Sequence, residues 1–178
     1  MNPIDRLREI HESDWNPCPP LHAAGVLLFA VICAYFAHTA DGWVPLLDGA
    51  NLAFHEAGHP LAGLFLGGWA AVYGGTFAQL VFPAVVAGRG WRRREIAVCA
   101  LGVVWLCENL WNIARYMADA RAQVLPLVGG GDHDWTEILT RWGVLHLDGS
   151  LAGLVRLIGW LGMLAVLGWM AWRMASDR

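Results

Sequence analysis

Apolar residues in this chain run in long blocks instead of alternating with polar ones. Three blocks, Leu21 to Ala40, Ile96 to about Ala118 and Leu151 to Trp172, each reach the length of about 20 residues that a helix needs to cross bilayer hydrocarbon. A fourth stretch, 51–88, is too long for one crossing and is interrupted at Gly67-Gly68 and again at Gly74-Gly75-Thr76. Its first part, Asn51 to Leu66, reads as a spanning helix bent at Pro60, whose ring opposes the carbonyl of Glu56. Its second part, 74–88, reads as a shorter re-entrant segment. Thr76-x-x-Gln79 ahead of an apolar run has the form of a capping box and would start it. The expected fold is therefore all-α: one membrane domain over 1–178, a polytopic transmembrane helix bundle of about four spans plus a re-entrant segment.

Composition strengthens this reading. Hydrophobic residues make up 57% of the 178 positions and charged residues 15%, with a mean hydropathy of +0.43, so the lipid bilayer is the expected partner and a multi-pass place in the cell (inner) membrane the expected location. The formal charge is only −3 and all 12 basic residues are arginine, scattered apart from Arg92 to Arg94, which leaves no basic face for nucleic acid. Cytoplasmic loops collect arginine. If 51–88 crosses once, one side holds Arg6, Arg8, Arg89, Arg92, Arg93, Arg94, Arg173 and Arg178, against Arg115, Arg121 and Arg141 on the other. That split favours a single net crossing, with the N-terminus, the Arg89 to Arg94 loop and the C-terminus on the cytoplasmic side. The acidic and proline-rich first twenty residues make a poor cleavable leader, so the first apolar block reads as a retained anchor. Cys18, Cys33, Cys99 and Cys107 show no C-x-x-C spacing and read as small buried hydrophobes.

One apolar block carries chemistry. His55-Glu56-Ala57-Gly58-His59 places two imidazoles four residues apart, on one face of a helix, where both can bind a single Zn²⁺. Glu56, next to the first imidazole, is angled to reach a zinc-bound water and take its proton as general base. The three groups lie ~6 to 12 Å into an apolar helix counted from Asn51, at ~1.5 Å per residue. Ionisable groups at that depth are expensive without partners, which argues for a metal over ordinary helix sequence. Gly58 removes a side chain between the ligands and lets another element approach.

A zinc site needs at least one more protein ligand. His133, in the run Gly129 to Trp135, is the candidate, with Asp132 or Asp134 beside it to orient the ring or to cap a helix beginning near Trp135. Asp148, ahead of the last block, is a rival ligand and also a natural helix N-cap; His146 is a lesser candidate. In the third block, Glu108, Asn112, Arg115 or Tyr116, and Asp119 share one face that must turn away from lipid. Asn112 and Tyr116 are expected at the depth of His55, and Arg115 with Asp119 as an ion pair.

With these residues in view, the chain resembles membrane-embedded zinc metallopeptidases of the site-2-protease type, which place H-E-x-G-H in a transmembrane helix followed by a re-entrant segment. His55, Glu56, Gly58 and His59 match that pattern. Those enzymes take a third ligand from an Asp in an N-P-D-G-like motif, of which only Asp148-Gly149 is matched here. The chain is also similar, over roughly residues 50 to 150, to small bacterial membrane proteins that combine N-L-x-F-H-E-A-G-H, G-G-[ST]-x-x-Q, Y-x-x-D-A-R and G-[DE]-H-D-W. The resemblance implies a zinc-dependent membrane metallopeptidase-like hydrolase acting on a peptide or membrane-protein substrate, with Glu56 catalytic and His55, His59 and His133 on the metal. The alternative is a non-enzymatic metal-binding protein or an accessory subunit of a membrane complex. Transport of metal would need polar residues continuing to the other face, and the sequence offers none.

Overall fold

The structure, a computed structural model, describes residues 14–39, 41–128 and 132–176. The calls on Gly129 to Gly131 and on Arg6, Arg8 and Arg178 lie outside them. Within them the chain is an all-α bundle: α1 Pro20–Ala37, α2 Leu47–Leu66, α3 Gly68–Arg93, α4 Ile96–Ala118, α5 Asp134–Arg141 and α6 Asp148–Ser176, the last preceded by one 3₁₀ turn, Leu145–Leu147. Four segments are long and apolar enough to cross a membrane: Pro20–Ala37, Gly68–Arg93, Ile96–Ala118 and Leu145–Ser176.

α1 opens on Pro20, whose fixed φ and missing N–H suit a first helical position. The chain then turns back sharply. Leu46 takes a left-handed φ of 66°, and Asp48, in the first turn of α2, accepts a hydrogen bond from the Val44 N–H at 2.6 Å. The carboxylate thus ties down the corner and sits at the positive end of the helix. α2 and α3 form an antiparallel pair joined by Gly67 alone, at φ 91°. Their backbones nearly touch. A Cβ at Gly58 would stand 2.2 Å from the Gly74 carbonyl oxygen, and one at Gly74 would stand 2.3 Å from that of Gly58. Small residues permit this approach, as at helix interfaces in membranes. Gly74→Val is therefore expected to push the pair apart and lower stability by about 3 kcal/mol or more, measurable as a lowered thermal midpoint in detergent.

Here the structure departs from expectation. Gly74-Gly75-Thr76 does not break a helix: α3 runs 26 residues without interruption, through Pro83, so Thr76 and Gln79 are mid-helix and form no capping box. The glycines' low helix propensity is outweighed by the close contact they make possible. The span-length member of the pair is α3, whereas α2 begins deep in the bundle. Asn51, in its second turn, meets Trp105, Glu108 and Asn109 in the middle of α4, and His55 reaches Tyr116 near the end of α4. The span-length element is thus α3, and 74–88 is part of it and not a separate shorter segment.

α4 is the central helix. Gly90 of α3 admits the Cys99 backbone of α4 and Gly102 of α4 admits Ala87 of α3, while Gly159 and Gly162 of α6 admit Trp111 and Cys107 of α4. The apolar core gathers Ala30, Cys33, Ala100, Val104, Cys107 and Met163 from α1, α4 and α6. All four cysteines are free.

The residues before α1, the turn between α3 and α4 and the end of α6 meet at one end of the bundle. Asn16 N donates to Arg94 O at 2.9 Å, Trp15 packs edge-on to Trp91 and Trp169, and Arg173 lies over Trp15. At the opposite end Arg121 meets Asp148 at 2.7 Å. A reporter fused after Ser176 is expected on one side of the membrane and one inserted at Val128 on the other; protease accessibility in sealed vesicles checks this, and equal accessibility of both would contradict it.

Candidate metal centre

Two turns beyond Asp48 on α2, His55 is turned into the bundle and is 7% exposed. Its Nε2 lies 2.9 Å from Asp134 Oδ2, and His59 Nε2 lies 3.3 Å from the same oxygen. Ligand atoms of His55, His59 and Asp134 all fall within 4.8 Å of one another. Donors about 2.0–2.1 Å from a tetrahedral zinc stand ~3.3 Å apart, so the spacing suits that ion.

The proton on His59 sharpens the case. Its Nδ1 lies 2.9 Å from the Ala71 carbonyl oxygen, which can only accept, so Nδ1 carries the hydrogen. In the neutral ring, Nε2 then faces Asp134 with a lone pair. Either a proton or a metal ion on Nε2 satisfies this 3.3 Å contact, and a backbone carbonyl behind the imidazole is the usual support of a zinc-binding histidine. Gly75 keeps the space open, because a Cβ there would lie 2.6 Å from His55 Nε2 and 2.7 Å from His59 Nε2. Gly75→Ala is expected to reduce metal occupancy at least about tenfold while the protein still folds, read by zinc content of the purified monodisperse protein.

Asp134 comes from α5, a short helix anchored by Trp135, Ile138 and Leu139, which pack with Ala114, Met117 and Ala120. The Asp134 N–H donates to the Tyr116 hydroxyl at 3.2 Å, and Thr136 Oγ1 donates to the Ala120 carbonyl. These contacts fix the carboxylate over the imidazoles.

His133, the expected third ligand, stands next door but is turned elsewhere. Its Nδ1 accepts from Thr136 N at 3.3 Å, capping α5, and its ring lies over Tyr116 with centroids 4.1 Å apart. Its Nε2 faces Asp119 at 3.5 Å. Burial pushes the imidazole below its ordinary pKa, opposed by the charges of Asp119 and Asp134. The ring is thus fixed through Nδ1 while its buried Nε2 makes no hydrogen bond, and the carboxylate expected to support it, Asp134, faces His55 and His59 instead. Asp148, the rival, opens α6 and is taken by Arg121 and by the Gly149 N–H at 2.6 Å. His146 is exposed on the 3₁₀ turn. Asp119 accepts from the N–H groups of Val124 and Leu125 and makes no ion pair with Arg115, whose side chain instead lies against Gly42.

The cluster opens onto a cavity of about 670 Å³. Glu56 lines it beside His55 and His59, as do Asn112 and Tyr116 at the expected depth. Leu125, Pro126, Leu127 and Val128 cover one side, and Arg115 and Arg141 add positive charge. Gln79, favoured from sequence as a helix start over a site role, lines the cavity too, and so does Asp48, which no motif marks; its spacing of seven residues from His55 is the one available signal. The chain matches no family model, no curated protein and no solved structure.

Proposed function

We propose that the protein is a zinc-dependent, membrane-embedded metallopeptidase-like hydrolase of the cell membrane, acting on a peptide or membrane-protein segment. The observation that carries this reading is the convergence of His55, His59 and Asp134 on one cavity that Glu56 also lines. Two imidazoles and a carboxylate are a hydrolytic zinc donor set. Among the described residues no fourth His, Cys, Asp or Glu joins the cluster, which favours an open catalytic position over a closed structural one. Bound there, zinc would supply a Lewis acid that brings the pKa of a coordinated water to about 7.

The chain's own residues supply the rest. His59, tethered through Nδ1 to Ala71, presents Nε2, and Asp134 is oriented by Tyr116. Glu56 accepts the proton released by the attacking water at its carboxylate and returns it to the leaving amine. Asn112 and Gln79, on the same cavity wall, offer amides to an extended backbone. The apolar Leu125 to Val128 segment limits access of bulk water. This is the division of labour that the resemblance to site-2-protease-type enzymes implies, with Asp134 in place of their N-P-D-G aspartate.

The test compares the N-termini of membrane-protein fragments in cells producing the wild type and Glu56→Gln at equal levels. Fragments present only with the wild type support the hydrolase. Identical fragment sets from two zinc-loaded proteins would favour the metal-binding accessory role.

A further inference from the structure

Two turns before His55, on the same stripe of α2, lies a second polar centre that the hydrolytic reading does not use. Asp48 and Glu108 are 1% and 0% exposed, and their carboxyl groups meet at one amide across the α2–α4 contact. The Asn51 side-chain NH₂ is shared between them, 3.1 Å from Asp48 Oδ1 and 2.9 Å from Glu108 Oε2. Among the described residues no arginine or histidine pairs with either carboxyl.

The two carboxyls are treated unequally. Asp48 accepts from Val44 N, Asn51 Nδ2 and Asn112 Nδ2, three donors suited to an ionised group. Among the described residues Glu108 accepts only from Asn51, and its Oε1 is buried with no hydrogen-bond partner. A second bare charge there would be both desolvated and repelled by the first. A metal cation is not the remedy, because the Asn51 NH₂ directs its hydrogens at both carboxyls, while its Oδ1 is taken by Trp105 Nε1 and Asn109 Nδ2. What the orphan oxygen lacks is a hydrogen.

We propose that Glu108 is a proton-binding site, a neutral carboxylic acid at neutral pH whose proton, held toward ionised Asp48, locks the start of the metal-bearing helix α2 onto α4. Asp48 lines the cavity, so the proton exchanges with solvent through the cavity floor. The other elements packed here add little charge. α1 presents the Cys33 thiol, which is within the field of both carboxyls, and α4 itself carries Cys107 and, one turn above Asn112, Arg115. α3 has no acid or base between Tyr73 and Arg89, and α6 none between Arg156 and Arg173. The native state thus keeps a proton that the unfolded chain has released, and stability must fall as pH rises.

The experiment is an infrared titration of the full chain in detergent, with thermal melts on the same samples, from about pH 6 to about pH 10. At neutral pH the wild type should show a carbonyl band of a protonated carboxyl that Glu108→Gln removes, since Gln keeps the shape and the Asn51 contact. The unfolding constant of the wild type should rise with pH by up to about tenfold per unit, and that extra slope should vanish in Glu108→Gln. Asp48→Asn serves as the second variant. With its charged neighbour gone, Glu108 should lose its proton at a lower pH than in the wild type. A neutral-pH spectrum without such a band, an equal slope in Glu108→Gln, or a band in Asp48→Asn that titrates no earlier than in the wild type would each overturn the proposal. None of these readouts depends on zinc or on turnover.

Discussion

Changing Glu56 to Gln is expected to leave the metal in place while turnover falls by about 10²-fold or more, the size of effect seen when a positioned general base is lost. Gln keeps the shape and can still hydrogen-bond from the cavity wall, but it cannot take a proton at neutral pH. The three atoms that converge on the metal position belong to His55, His59 and Asp134, so none of the donors is touched. The measurement is kcat on a fragment-yielding substrate identified from the cellular comparison, with zinc content of both proteins alongside. A variant that keeps wild-type kcat removes the general-base role. One that loses its metal makes Glu56 part of the binding site.

Replacing Asp134 and His133 in turn should give opposite results although the residues are neighbours. Asp134→Ala removes a donor 2.9 Å from His55 Nε2 and 3.3 Å from His59 Nε2, and affinity for zinc should drop by at least about 100-fold, beyond the 10–100-fold typical of outer partners. His133→Ala removes a buried ring that caps α5 and lies over Tyr116. Its effect should be mainly on stability, about 1–3 kcal/mol from the lost packing and cap, with stoichiometric zinc at saturating metal. Competition with a chelator of known affinity, paired with thermal melts, separates the two. Equal zinc affinity for wild type and Asp134→Ala would return the third position to another residue.

The long apolar blocks carried most of the fold, because a bilayer-length helix is written in composition alone. α1, α4 and α6 fall within a few residues of the blocks that announce them. The α2–α3 hairpin was harder to read, since Gly74 and Gly75 look like breakers until the partner surface is known. They are small because Gly58 and the two imidazoles press against them, and that contact is absent from any local pattern. The pair His55 and His59 was legible from spacing on one helix. The third donor was legible only to the segment: Asp132, His133 and Asp134 are adjacent, and which of them faces α2 depends on where α5 starts. The helix begins at Asp134, with His133 at the cap, a one-residue shift that turns Asp134 and not His133 toward His55 and His59. The Asp48 to Glu108 pairing bridges 60 positions of sequence, and no short-range signal could announce it.

Zinc-edge X-ray absorption on the purified full chain tests the metal centre most directly. The account predicts about one zinc per chain with only nitrogen and oxygen neighbours at about 2.0–2.1 Å, two of them imidazoles, and loss of the signal in His55→Ala and in Asp134→Ala but not in His133→Ala. A sulfur shell, or an unchanged spectrum when His55 or Asp134 is replaced, would contradict it.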